Sequence, residues 1–325
     1  MKKRRYVCPN CNKRFYENVD FLPTYYRTTN RLWAYILNEL SKTRSMSCIA
    51  KDVNLSTTSI MRILDKVSCG MNHLPTTLAI DEFRGNAQGE KFQTLLTNPK
   101  RKVVLDVLPT RKQEDILEYF SHFPIHERLN VKYVVMDMSG SFKPTIKAAL
   151  ANAQIIADKF HVVRQVTWAF EAVRKRVQKE FYATRRKYFK NSRKLLLKNP
   201  NNLTSDQVFQ VANMLEISVE LRNAYHLKNM FYTFMKSKDI YEAKKRLKDW
   251  YLMVASVNIK EFNDCAETFN RWQKEILNAF KFHLTNGFTE GCNNRIKVIK
   301  RVSYGFKNFE RFRKKILHSL YKSSA

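Results

Sequence analysis

Three carboxylates stand where a folded chain can bring them together. Asp81 lies near the end of the apolar run "TTLAIDEF", Asp137 follows "VKYVVM", and Glu290 opens the basic segment "TEGCNNRIKVIKR". Read as strands, the first two segments deliver both aspartates to the same sheet edge if the strands are neighbours. Glu290, on a helix, could close over that edge. Three carboxylates at one point repel one another unless cations are present. Magnesium or manganese suits an all-oxygen donor set and keeps positions for water and phosphate oxygens. Two such ions about 3.5–4 Å apart activate a water and stabilise a leaving oxygen in phosphodiester cleavage. In helical register, Glu290, Asn294, Lys297 and Arg301 form one stripe, with Cys292, Ile296, Ile299 and Ser303 about 200° away. Lys297 and Arg301 could therefore hold the backbone of a bound strand. Taken alone, the segment also fits an ordinary amphipathic helix whose Glu favours the positive N-terminal end.

The charge balance supports a polyanionic partner. The chain has 325 residues, with 59 Lys and Arg against 29 Asp and Glu, a net charge of +30. Nucleic acid is the expected partner and a membrane surface the competitor. No run of about 18 apolar residues exists to span a bilayer. "MKKRRYVCPNC" has no apolar segment after its charged start, so it does not read as a signal peptide. Cysteines at 8, 11, 48, 69, 265 and 292 make no disulfide framework and suit a reducing, intracellular setting. Cys8 and Cys11 form half of a zinc knuckle. Structural zinc needs four ligands, and no second pair lies nearby, so the zinc site is incomplete and two free thiols are the alternative.

The elements that must position these groups follow from periodicity. "NRLWAYILNEL" reads as a helix with Leu32, Tyr35, Ile36 and Leu40 inward. A short helix ending at Ile49, Ala50 and Val53, a turn at Asn54-Leu55-Ser56, and a second helix with Ile60, Ile63, Leu64 and Val67 inward make a helix-turn-helix pattern. Ser56, Thr57, Thr58, Ser59 and Arg62 start that second helix and are candidate DNA contacts; a plain helical hairpin is the alternative. Residues 76–160 read strand, strand, strand, helix, strand, helix, strand, with "AQIIADKFHV" giving a fifth strand that ends at Asp158. Three meander strands followed by alternation predict a mixed α/β sheet. Residues 161–280 read as long helices. The window 171–200 carries eleven Lys and Arg against two Glu. This block fits either a solvated basic bundle or a module that contacts DNA or another copy. In "SYGFKNFERFRKKILHSL", Tyr304, Phe306, Phe309 and Phe312 alternate with cations. That pattern suits phosphate contact and stacking, or simply seats a terminal helix on the core.

The segments "LAIDEF", "YVVMDMSGSFKP", "IIADKFHVVR" and "NGFTEGCNNRIKVIKRVSYGFKNFERFR" occur in the order in which they appear in bacterial insertion-sequence transposases of the ISL3 family. The chain resembles that family over nearly its whole length. The resemblance implies an α/β, RNase-H-like mixed-sheet core interrupted by an all-α insertion, with an N-terminal helix-turn-helix. The implied parts are a partial zinc-knuckle remnant (1–20), a helix-turn-helix domain (21–72), the first part of the catalytic core (73–162), the insertion (163–282), and the Glu helix with a basic tail (283–325). It assigns Asp81, Asp137 and Glu290 to a DDE triad that binds Mg2+ or Mn2+. Asp158 and His161 match a supporting "D-x-F-H" motif, and Asn294 lies in "E-G-x-N-N". Lys297, Lys300, Arg301, Lys307, Arg311 and Arg313 are expected on DNA. The implied chemistry is hydrolysis at a transposon end to free a 3′-OH, followed by attack of that hydroxyl on target DNA. The expected partners are double-stranded terminal repeats, target DNA and at least one further copy, in the bacterial cytoplasm on the nucleoid and away from membranes. Family members resemble one another in having a further upstream Cys pair. This chain starts at the second pair and resembles a shortened copy, which leaves open a non-catalytic relic that binds element ends.

Overall fold

A computed structural model describes residues 4–17, 28–180, 186–187, 189 and 193–320. The rest of the basic window 171–200 and residues 18–27 of the N-terminal region lie outside the described residues. The chain forms two compact units, one from Met1–Gly70, Gly85–Lys91 and Asn294–Ala325, the other from Met71–Arg84 and Phe92–Asn293.

The first unit opens with an antiparallel pair, β1 (Arg5–Val7) and β2 (Arg14–Tyr16), whose turn carries Cys8 and Cys11. Three helices follow, α1 (Asn30–Ser41), α2 (Met46–Asp52) and α3 (Thr57–Asp65). Each starts at a hydroxyl cap, Thr29, Ser45 and Ser56, whose side chain accepts a backbone N–H three residues on. Ile36, Leu40, Ile49, Ile60, Ile63 and Leu64 form their shared core, so the helix-turn-helix pattern is present. Tyr35, expected inward, is 46% exposed; Trp33 and Leu37 pack against the core instead. The inward arc on α1 is rotated toward its last turn, where Leu40 and Glu39 are buried.

The terminal helix α15 (Phe309–Leu320) belongs to this unit. Phe309, Phe312, Ile316 and Leu320 are buried along one face, and Phe306 stacks on Phe312. Lys315, fully buried, donates to the carbonyls of Leu40 and Lys42 at the end of α1. Those carbonyls are helix-end acceptors without intrahelical donors. The aromatics of this segment therefore seat the helix, with one exception. Tyr304, which follows α14 (Gly287–Val302), is 99% exposed. Its N–H bonds Arg301 O at 3.1 Å, and Gly305 N–H bonds Lys300 O at 2.9 Å. This double closure is a Schellman turn, and Tyr304 occupies its left-handed position (φ 54°), where glycine is usual.

The second unit holds a five-stranded sheet in the order β5-β4-β3-β6-β7. The meander is β3 (Thr77–Phe83), β4 (Gln93–Asn98) and β5 (Val103–Leu108), all antiparallel. After α4 (Gln113–Ser121) and a short α5 (Ile125–Asn130) that the sequence pattern did not suggest, β6 (Tyr133–Met136) returns parallel to β3. After α6 (Phe142–Ala149), β7 (Gln154–Ala157) lies parallel to β6. The fifth strand ends at Ala157, one residue before the expected Asp158, and α7 (Lys159–Lys179) starts directly after that aspartate. Val162, Val166, Phe170, Val173 and Val177 recur at helical spacing and are buried, so helix periodicity takes over at that point. The helices α8 (Arg193–Leu197), α9 (Ser205–Glu216), α10 (Val219–Met235), α11 (Ile240–Val257), α12 (Lys260–Arg271) and α13 (Gln273–Lys281) complete the all-α block. Its core is continuous with the sheet: one cluster runs from Leu78, Ile80 and Met136 through Val166 and Phe170 to Phe231, Trp250 and Phe269.

Candidate active site

Sheet register decides where the acids lie. Ile80 pairs Met136, and Met136 pairs Ala157, on adjacent parallel strands. The next residue on each strand is an aspartate: Asp81, Asp137 and Asp158. Because side chains alternate, these three share the face of Ala79, Val135 and Ile156. That face carries a small core closed by Ala279 of α13, with Phe282 and Leu284 packed against it. Asn278 of α13 donates to Ile155 O at 2.8 Å and holds the helix at β7.

The same face receives the start of α14. Thr97 of β4, partner of Ala79 in the ladder, bonds Thr289 through their hydroxyls at 2.8 Å. One turn on, Asn293 Nδ2 donates to Asp81 Oδ2 at 2.8 Å. Both α14 residues are buried. Glu290, adjacent to Thr289 and one turn before Asn293, sits on the exposed flank. Of the paired asparagines, it is Asn293 that meets an acid; Asn294 is exposed and accepts from Lys297 Nζ. Periodicity signals this, since 289 and 293 are i, i+4 and 290 and 294 are the next stripe.

The electrostatics are those of crowded carboxylates. Asp81 is pushed up to about 6, chiefly by burial, with Asp137 and Asp158 adding to it and His161 opposing it. Burial likewise raises Asp137, with His161 opposing and Glu82 and Asp158 adding. His161 Nδ1 bonds Asp158 Oδ2 at 2.8 Å, and that bond raises the imidazole above its ordinary value. An imidazole raised above its ordinary value thus lies beside the three carboxylates. Asp137 Oδ1 and Asn293 Oδ1 are buried without a hydrogen-bond partner. Among the described residues no three His, Cys, Asp or Glu side chains converge closely enough to hold a metal as they stand. Asp81 and Asp137 come together, and Asp158 with His161 lies beside them.

Residues 78–316 match the DDE transposase model of the ISL3 family, and residues 17–68 match the helix-turn-helix domain of the same family. The chain belongs to the ISL3 transposase family. It is 28% identical over 323 residues to the transposase for insertion sequence element IS1001 of Bordetella parapertussis, covering 97% of this chain and 79% of that protein. It is 24% identical over 213 residues to the transposase for IS1557 of Mycobacterium tuberculosis, covering 58% of this chain and 48% of that one. A 121-residue stretch is 31% identical to a Lactococcus lactis protein described as an ATP-dependent protease, covering 37% of this chain and 36% of that one. The sequence here has no Gly-rich Gly-Lys-Ser/Thr phosphate loop to go with such a name.

The remaining candidate DNA-contact residues fall in the first unit. Ser56 caps α3, and its hydroxyl bonds those of Ser59 and the Ser59 N–H. Thr58 and Arg62 are exposed one turn apart on the outer face of α3. Thr57 lines a cavity of about 310 Å³ with Ser45, Ser47, Lys307 and Arg311. Lys297, Arg301 and Lys307 are exposed and Lys300 is half-buried. Arg311 makes a forked pair with Asp65, Nε–Oδ1 3.0 Å and Nη2–Oδ2 2.8 Å. Arg313 bonds Glu310 and the Cys69 carbonyl. Both arginines thus secure α15, which spacing alone could not reveal. At the hairpin, backbone N–H groups of Cys11 and Asn10 lower the Cys8 thiol. Among the described residues no helix is long and apolar enough to cross a membrane.

Proposed function

We propose that this chain cuts DNA at the ends of an insertion sequence and joins the freed 3′-OH to target DNA, with Asp81, Asp137 and Glu290 as the working acids. The observation that carries this reading is the register of β3 and β6, which sets Asp81 beside Asp137 on one sheet face, with α14 fastened over that face at Asn293.

The donor set suits a hard divalent cation. Asp137 keeps a buried oxygen without a partner, and Asp81 is raised to about 6 by burial among carboxylates, a cost that a bound cation reverses. Asp81 and Asp137 would hold magnesium or manganese, with Glu290 brought in from the exposed flank of α14. Such an ion supplies polarisation of the scissile phosphate and an acidified water. The chain's own groups do the rest. Asn293 fixes the Asp81 carboxylate, leaving Asp81 Oδ1 on the Glu82 N–H. Asp158 orients His161 and raises its imidazole beside the acids. The exposed cations of α14 and Thr58 and Arg62 of α3 meet duplex phosphates and base edges. Handling two element ends calls for at least two copies, working in the bacterial cytoplasm on the nucleoid. Cys8 and Cys11 supply two zinc ligands and need two more from elsewhere.

The test is a cleavage assay on duplex DNA bearing the flanking element's terminal repeat, with magnesium or manganese, beside Glu290→Gln. Nicking that leaves a 3′-OH and vanishes in Glu290→Gln supports the enzyme. Binding without cleavage in either metal supports the alternative, a relic that occupies element ends; the exposed position of Glu290 is the observation favouring it.

A further inference from the structure

Helix α7 starts at the acid cluster, directly after Asp158, and runs 21 residues. Its inner face is buried in the core. Its outer face is unusual. Phe160, Arg164, Trp168, Ala172, Lys175 and Lys179 recur at i, i+4, i+8, i+12, i+15 and i+19, and all are exposed. Phe160 is 51% and Trp168 52% exposed, large aromatic areas that a helix ordinarily buries. Arg164 lies over the Trp168 ring at 4.4 Å. The only acid of the helix, Glu171, is buried and paired with Arg174 and Arg193, so the stripe carries no negative charge.

We infer that this stripe is a track for single-stranded DNA leading away from the acid cluster, with bases stacking on Phe160 and Trp168 and phosphates meeting Arg164, Lys175 and Lys179. The inference rests on the DNA-cleaving function proposed above and names where the unpaired strand goes. Three features select this occupant. Aromatics alternating with cations on one exposed face match what a single strand offers, π-faces and phosphates at short repeat. Phe160 and Trp168 are separated by about 12 Å along the helix axis, the length of three to four stacked nucleotides at about 3.4 Å each. The stripe is continuous with the acids, since Phe160 adjoins His161 and packs edge-on against its ring at 5.5 Å. A duplex presents no unstacked base to an aromatic, so the stripe discriminates strand state rather than sequence.

The test uses the full chain and a fluorescein-labelled 12-nucleotide single strand, with a duplex of the same sequence beside it, read by anisotropy. Trp168→Ala and Arg164→Glu are both surface changes, and circular dichroism checks that each folds. Single-strand affinity is expected to fall about tenfold or more in Trp168→Ala, the loss of one stacked base, with duplex affinity within about twofold of wild type. Trp168→Phe should restore most of it, and Arg164→Glu should weaken the single strand more than the duplex. Unchanged single-strand affinity in both variants, with the duplex still bound by wild type, overturns the track and leaves the proposed function standing. Wild type that binds neither form removes both. Loss of a dimer in Trp168→Ala by sedimentation, without change in single-strand affinity, assigns the stripe to a second copy and also overturns the track.

Discussion

Replacing Asp81 by Asn should stabilise the metal-free protein. Asp81 is buried and its carboxyl is raised from the ordinary 3.8 to about 6. A raised carboxyl favours the protonated form, so the fold bears no penalty from it below about pH 4. Between about pH 4 and 6 the unfolded chain ionises first and stability falls; above about 6 the full penalty remains. At 1.36 kcal/mol per pH unit, the displacement corresponds to on the order of 3 kcal/mol at pH 7. Asn keeps the shape: its carbonyl oxygen can accept from the Glu82 N–H, and its NH2 can donate to Asn293 Oδ1, which has no partner in the wild type, once the Asn293 amide flips. Thermal unfolding of Asp81→Asn in EDTA at pH 7 should therefore lie about 6–12 °C above wild type for a unit of this size. The gap should shrink toward pH 4. In magnesium the wild type should gain on the variant, by about 2.7 kcal/mol at a hundredfold excess over Kd. A variant that melts below wild type at pH 7 without metal would refute the claim that this carboxylate is held against an electrostatic cost.

Glu171→Ala strands Arg174, which is 4% exposed, and should cost about 3–5 kcal/mol by denaturant unfolding; a loss under 1 kcal/mol would mean that the ion pair is not truly sequestered. Tyr304→Gly relieves a left-handed non-glycine residue and should stabilise the first unit by roughly 0.5–1 kcal/mol; destabilisation would show that the exposed ring has an unseen partner. Asn293→Ala should abolish strand cleavage while duplex affinity holds within about twofold, because it frees α14 from Asp81; full cleavage activity would make that contact incidental. Affinity for duplex DNA should drop on the order of a thousandfold between 50 and 200 mM salt if about six phosphates are neutralised, and a flat response would assign the basic surface elsewhere.

Much of the fold was legible because its strands are short, apolar and bounded by turn residues, and because α2 and α3 begin at serine caps. The adjacency of β3 and β6 was a condition in the sequence and became a fact only through the register of Ile80 with Met136. The same register places Asp158 level with the other two aspartates, which no local pattern reveals, since it depends on β7 pairing with β6. The inward role of Asn293 was readable from spacing but masked by the equally regular stripe of Glu290, Asn294, Lys297 and Arg301. So was the exposed stripe on α7, diluted by the overall basic composition of the block. The partners of Arg311 and Lys315 lie 246 and 275 residues away in sequence, and local periodicity carries no information about such pairings.

The first unit is stitched from both ends of the chain, and 275 residues separate Lys315 from the carbonyl of Leu40 that it caps. Domains ordinarily mature in order of synthesis, at about 5–20 residues per second. Here the helix-turn-helix emerges early yet waits roughly 15–55 s at those rates for the helix that closes its core. Prematurely terminated translation products would carry the recognition helices without their final support. An aborted chain thus lacks the helix that caps α1, and the helix-turn-helix core closes only in a molecule whose residues 81, 137 and 290 have already been made.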